Sequence, residues 1–126
     1  MNPLDNSLKI IDFNVSHCFP IGVSLYANSI TGGTGLKQWS APETRTCLHY
    51  SAKCDSWSLG LILSFMLLRK EPSKTKSSTE ARDEILTQLE MKADCCPKLL
   101  ETFKGLTVKD AEQRWSPESA LDFLTQ

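Results

Sequence analysis

Apolar residues along the chain are grouped into one short run near the N-terminus and four longer segments in the second half. The first run, 8–11, is β-branched and is closed by Asp12, which is typical of a short buried strand. The residues that follow, to about Thr46, show no sustained periodicity and are punctuated by glycine and proline. This pattern predicts a long loop, and a loop of such length within a compact domain is usually functional or disordered.

The segment 53–68 predicts a helix that is apolar on every side, and such a helix needs burial on every side. The apolar stretch 56–68 is shorter than the roughly 20 residues of a membrane-spanning helix, so we expect no membrane segment. Its apolar residues are Trp57, Leu59, Leu61, Ile62, Leu63, Phe65, Met66, Leu67 and Leu68.

Three amphipathic helices are predicted after a polar hinge that is rich in lysine, serine and threonine. Ser77 and Glu80 have the spacing of a capping box and mark the start of the first helix. Pro97 fits the first turn of the second, and Ser116 followed by Pro117 predicts an N-cap and first turn for the third. The residues expected to face the core are Ala81, Ile85, Leu86 and Leu89, then Leu99, Leu100, Phe103 and Leu106, then Ala120, Leu121 and Leu124.

Composition narrows the class of protein. The chain has 126 residues, 40% hydrophobic and 23% charged, which fits one small globular domain or a piece of a larger one. A net charge of −1 and a pI near 6.1 argue against an electrostatic nucleic-acid or anionic-membrane binder. The five cysteines lack disulfide or zinc-site spacing and no secretory leader is visible, so we expect a cytoplasmic or nuclear environment.

Four short motifs follow one another along the chain. In this order and spacing they resemble the C-terminal part of a protein kinase domain, and the last two resemble its serine/threonine branch more closely. The resemblance extends from about residue 8 to residue 124. The motifs are Asp12-Phe13-Asn14, Ala41-Pro42-Glu43, Asp55-Ser56-Trp57-Ser58-Leu59-Gly60 and Arg114-Trp115-Ser116-Pro117-Glu118-Ser119-Ala120-Leu121.

The resemblance implies a mainly α fold. The expected architecture is a partial kinase-like C-terminal lobe with one short strand, a long activation-type loop and about four helices. One partial kinase domain would span 1–126. Its parts would be a metal-binding triad and activation segment at 8–43, a central buried helix at 53–68 and C-terminal helices at 79–125.

Asp12 is the candidate metal ligand. A carboxylate held at a strand end suits Mg²⁺, which prefers oxygen ligands and bridges nucleotide phosphates. The alternative is an aspartate that accepts backbone hydrogen bonds in a turn. The resemblance implies that Asp12 binds magnesium and, through it, ATP. Asn14 stands where the family has the glycine that permits a backbone flip, and asparagine is the next most tolerant residue of the left-handed region.

Three further residues have structural roles implied by the resemblance. Glu43 and Arg114 would form a buried ion pair, the alternative being two unrelated solvated charges. Asp55 lies at the start of the apolar helix, where a carboxylate is favoured by the helix dipole and can cap free amides. In the family the equivalent aspartate also bonds the catalytic-loop backbone.

The segment 13–43 resembles a kinase activation segment. Serine and threonine are common in every surface loop, so its hydroxyl residues are only candidate phosphorylation sites. Trp39 is closer to the tyrosine-kinase version of this segment, which leaves the acceptor specificity open. The candidate sites are Ser24, Ser29, Thr31 and Thr34.

No catalytic residue is identified in the chain. Phosphoryl transfer needs a glycine-rich phosphate cover, a strand lysine and an His-Arg-Asp loop, and none is found before Asp12. We therefore expect this chain to be the C-terminal part of a protein kinase domain, which in the intact family phosphorylates protein serine or threonine with ATP. We expect the chain alone to be inactive. The alternative is a kinase-like (pseudokinase) interaction module that binds a protein partner without catalysis. Either the missing half or such a partner would cover the central helix.

Overall fold

The computed structural model describes residues 7–13, 16, 18, 30–31, 37–46, 49–92 and 96–126. The described part of the chain is mainly helical, as predicted. Two short strands pair antiparallel, with Ile30 opposite Tyr50 and Thr31 opposite His49. The elements in chain order are β1 (Ile30–Thr31), a 3₁₀ helix (Lys37–Trp39), α1 (Glu43–Thr46), β2 (His49–Tyr50), α2 (Lys53–Leu68), α3 (Ser78–Glu90), α4 (Pro97–Leu106) and α5 (Pro117–Leu124).

The core forms around α2, against which α3, α4 and the 3₁₀ helix pack. Gly60 allows α4 to approach closely, because a Cβ atom there would lie 2.5 Å from Thr107 Cγ2. Trp57 and Phe103 are fully buried at this junction, and burial of such a side chain contributes about 1.5–3 kcal/mol. The central cluster consists of Ala41, Trp57, Leu61, Ile85, Leu89 and Phe103.

Local capping chemistry sets the starts of two helices, as predicted. The Ser77 hydroxyl accepts a hydrogen bond from the Glu80 amide at 3.3 Å and begins α3. The Ser116 hydroxyl accepts one from the Ser119 amide at 3.1 Å and begins α5. Each bond satisfies an amide that the first turn of a helix leaves without a partner.

The strand predicted over 8–11 is wrong. These residues form neither helix nor strand, and Leu8, Ile10 and Ile11 are 79%, 83% and 80% exposed. A strand needs a neighbour that accepts and donates its backbone hydrogen bonds, and no described segment pairs with this one.

The inward side of α5 also differs from the prediction. Ala120 is buried, but Leu121 and Leu124 are exposed. The reason is that Phe123 packs against the Trp115 ring, with centroids 5.2 Å apart, and this contact turns the two leucines outward.

One face of α2 is exposed, although its composition predicted burial all round. The described elements α3, α4 and the 3₁₀ helix pack against α2 and leave this face largely open, although Trp39 of the 3₁₀ helix meets the Phe65 ring edge-on with centroids 6.2 Å apart. The exposed side chains are Leu59 (40%), Ile62 (48%), Phe65 (37%) and Met66 (64%).

Candidate functional site

Arg114 and Glu43 form a bidentate ion pair between the turn that precedes α5 and the first residue of α1. Arg114 Nη1 lies 2.7 Å from Glu43 Oε2, and Nη2 lies 2.9 Å from Oε1. The Arg114 side chain is fully buried and that of Glu43 is 13% exposed. Paired, charge-assisted bonds of this geometry are among the strongest polar contacts in proteins.

Three backbone carbonyls complete the surroundings of the guanidinium. Arg114 Nε donates to Val108 O at 2.8 Å, Nη1 to Lys53 O at 2.9 Å and Nη2 to Lys109 O at 3.2 Å. With the two bonds to Glu43, all five N–H donors of the arginine are used, as a buried guanidinium requires.

The environment of Arg114 ties several elements together. Its guanidinium carbon lies 5.2 Å from the centroid of the Trp57 ring on α2, within the range of a cation–π contact. Lys53 Nζ, at the start of α2, donates to the Arg114 carbonyl. The arrangement therefore fixes α1, α2 and the turn before α5 relative to one another.

The loop that leads to Glu43 is held by side chains from other elements. Ser58 Oγ on α2 donates to Trp39 O at 2.7 Å, and Ser78 Oγ on α3 donates to Ser40 O at 3.0 Å. Gln38 Nε2 donates to Pro72 O at 3.3 Å. Sequence reasoning missed these bonds, since hydroxyl and amide groups that bond distant carbonyls follow no fixed spacing.

Asp55 lies in the first turn of α2, but the prediction that it caps the helix is wrong. The N-cap position is Ala52, and the side chain that reaches the first turn is Ser51, whose Oγ accepts from the Lys53 amide at 3.2 Å. The Asp55 carboxylate accepts only a weak bond from Cys54 Sγ at 3.9 Å within the described residues. Desolvation by the surrounding protein raises the pKa of the Asp55 carboxyl.

Cys54 is an unreactive thiol at the edge of the ion pair. Burial, together with the negative charges of Asp55 and Glu43, raises the pKa of the Cys54 thiol to about 12. The neutral form therefore dominates at physiological pH, and a neutral thiol is a poor nucleophile.

Asp12 is exposed and has a φ of 62°, in the left-handed region that aspartate tolerates better than most residues. Within the described ranges, no group of three or more histidine, cysteine, aspartate or glutamate side chains is placed to hold a metal ion. One carboxylate is a small part of the oxygen shell that Mg²⁺ requires. The residues that are described thus do not by themselves fit a magnesium–nucleotide site.

The remaining predicted positions are Asn14 and the four candidate phosphorylation sites. Asn14, Ser24, Ser29 and Thr34 lie outside the described residues. Thr31 lies in β1, opposite His49. In the part of the chain that is described, no helix is both long and apolar enough to cross a bilayer.

Comparison with known proteins decides the family. The family model of the protein kinase domain matches residues 2–125. This chain belongs to the protein kinase family. The matched region contains both Glu43 and Arg114.

Three kinase relatives illustrate the similarity. The serine/threonine-protein kinase ULK3 of Xenopus laevis is 31% identical over 65% of the chain, and the serine/threonine-protein kinase ATG1 of Kluyveromyces marxianus is 31% identical over 85%. A probable myosin light chain kinase of Dictyostelium discoideum is 30% identical over 95% of the chain. The chain spans only 18%, 13% and 34% of these relatives' own lengths.

Proposed function

We propose that this chain is the C-terminal part of a serine/threonine-type protein kinase domain and that it transfers phosphate only when upstream residues complete the domain. The observation that carries the proposal is the buried, bidentate Arg114–Glu43 pair. It fixes the end of the loop 37–43 on α2, the loop that by resemblance docks a protein substrate. Family membership over residues 2–125 supports the same assignment.

The chemistry of phosphoryl transfer explains why upstream residues are required. The protein must hold the phosphates of ATP, neutralise them with metal ions and orient the attacking hydroxyl. Asp12 is the residue that we propose as a magnesium ligand, and it supplies one carboxylate. The other ligands, the phosphate-binding lysine and the base that orients the hydroxyl would come from upstream. We further propose a cytoplasmic or nuclear location and regulation by phosphate at Ser24, Ser29, Thr31 or Thr34.

A hybrid protein tests the proposal. The chain is joined to the corresponding upstream half of the Xenopus laevis ULK3 domain, and transfer of labelled phosphate from ATP to a serine- or threonine-containing peptide is measured. The chain alone should transfer no phosphate, and the hybrid should transfer it.

Asp12→Asn in the hybrid should lower the rate by about 10²-fold or more, the scale expected when one group that stabilises transition-state charge is lost. Asp83→Asn is the matched control, because Asp83 is an exposed aspartate on α3 with its side chain 71% accessible. Its rate should be unchanged. Equal rates for the Asp12 and Asp83 variants would remove Asp12 from the proposal, and a cooperatively folded hybrid without activity would reject the enzyme assignment.

The exposed face of α2 favours a second function, that of a kinase-like module that binds a protein without catalysis. Four large apolar side chains are between 37% and 64% exposed along this face. Contiguous exposed apolar surface of this kind marks interaction sites in soluble proteins.

A further inference from the structure

All four backbone carbonyls from residue 39 to residue 42 accept hydrogen bonds, and the last two are held locally. Ala41 O accepts from the Thr44 amide at 3.2 Å. Pro42 O accepts from the Arg45 amide at the same distance. Both amides belong to α1, three residues further along the chain. The start of α1 therefore orders the second half of this segment without help from distant elements.

The first two carbonyls depend on side chains from two other helices. Ser58 Oγ on α2 donates to Trp39 O at 2.7 Å, and Ser78 Oγ at the start of α3 donates to Ser40 O at 3.0 Å. These donors lie 19 and 38 positions away in the sequence, and both bonds are partly buried. A partly buried carbonyl that loses its donor regains little from water, so removing either hydroxyl destabilises this backbone conformation.

We propose that Ser58 and Ser78 are positioning residues for the protein substrate. The proposal rests on the function proposed above, in which the loop 37–43 docks that substrate. The two hydroxyls hold the backbone at Trp39 and Ser40 in the conformation that receives the substrate. Since a substrate binds only the molecules whose docking loop is in this conformation, loss of the hydroxyls lowers its apparent affinity.

A role in stability alone predicts a different result. Hydroxyls of that kind lower the free energy of unfolding when they are removed, but they leave substrate binding by the folded molecules unchanged. Ser64 Oγ donates to Leu61 O at 2.7 Å within α2, and Thr87 Oγ1 donates to Asp83 O at 3.1 Å within α3. Because these bonds stay inside the same two helices, Ser64 and Thr87 supply matched controls.

Hydrogen exchange of the full chain tests the geometry without an assay of activity. The alanine double variant carries Ser58→Ala and Ser78→Ala, and the control double variant carries Ser64→Ala and Thr87→Ala. In the alanine double variant the amides of residues 38–41 should exchange at least about fivefold faster, since two bonds that oppose local opening are lost. The control double variant should leave their exchange unchanged.

The helical circular dichroism of each variant shows whether it is folded. Ser58→Ala and Ser78→Ala made singly should each give a smaller increase in exchange, so the test does not depend on the folding of the double variant. Exchange of residues 38–41 that is no faster in these variants than in the control would overturn the proposal.

The hybrid with the upstream half of ULK3 tests the consequence for the substrate. There the alanine double variant should raise the KM for the peptide at least about fivefold and leave kcat and the KM for ATP within about twofold. The threonine double variant, Ser58→Thr with Ser78→Thr, keeps both hydroxyls and should restore the peptide KM. The control double variant should leave it unchanged.

The outcomes separate this proposal from the kinase assignment. A folded hybrid that phosphorylates no peptide would reject the kinase assignment, while the exchange measurement still decides whether the two hydroxyls hold the docking loop. An active hybrid whose peptide KM is the same with and without the hydroxyls would overturn the positioning role. Failure of the threonine double variant to restore the peptide KM would overturn it as well.

Discussion

Replacing Arg114 with alanine removes the cation that Glu43 faces and the donor that three backbone carbonyls share. Those carbonyls belong to Lys53, Val108 and Lys109. Removing one partner of a buried ion pair costs about 3–5 kcal/mol, because the other charge stays desolvated. Since the Glu43 side chain keeps 13% exposure, water offsets part of this, and we expect a loss near the lower limit, about 3 kcal/mol.

Such a loss is a large share of the roughly 5–15 kcal/mol that stabilises a typical domain. Urea unfolding followed by far-ultraviolet circular dichroism measures it, as the difference in free energy of unfolding between the variant and the unmodified chain. Arg114→Lys should recover only part of the loss, because an ammonium group cannot make the two parallel bonds to Glu43.

Lys76→Ala is the control, because it breaks a surface pair in which Lys76 and Glu84 side chains are 47% and 46% exposed. Exposed pairs of this kind contribute little to stability, so no measurable change is expected. If Arg114→Ala shifts the urea midpoint no further than Lys76→Ala, the ion pair does not hold the fold together and the reasoning fails.

Three further predictions concern packing and protonation. Gly60→Ala should destabilise the chain by about 1–3 kcal/mol in thermal unfolding, because its Cβ would lie 2.5 Å from Thr107 Cγ2; unchanged stability would contradict the close contact. With a pKa of about 12, about one Cys54 thiol in ten thousand is ionised at pH 8. Alkylation followed by mass spectrometry should therefore modify Cys54 far more slowly than the exposed Cys18. Equal alkylation rates would contradict the burial of Cys54. The folded state binds a proton at Asp55 more tightly than the unfolded state, so the contribution of Asp55 to stability should grow as the pH falls from neutral through its raised pKa toward 3.8. Asp55→Asn should remove that gain in urea titrations, and an identical pH dependence in both proteins would reject the shift.

Local chemistry accounts for the parts of the fold that the sequence predicted well. Ser77 and Ser116 cap their helices through amides three residues later, and proline at the first turn marks the start of α4 and α5. The bounds of α2 also match the prediction of 53–68. Each of these signals lies within one turn of the residues that it orders.

Features that depend on distant residues were harder to predict. The run 8–11 has strand-like composition, but it forms no strand because the described residues give it no neighbour. Glu43 and Arg114 are 71 positions apart, and family resemblance rather than any sequence periodicity suggested their pairing. The bonds from Gln38 to Pro72 and from Ser78 to Ser40 had no sequence signal, since any surface polar residue can make them.

Phosphate transfer, measured side by side for the isolated chain, the hybrid and its Asp12→Asn variant, tests the central claim most directly. The account predicts that the hybrid phosphorylates the peptide and that the isolated chain does not. The Asp12→Asn hybrid should phosphorylate it at a rate at least about 10²-fold lower. Transfer by the isolated 126-residue chain would contradict the claim that upstream residues are required. A hybrid that fails to fold cooperatively, or that folds and transfers nothing, would contradict the claim that this chain completes a kinase domain.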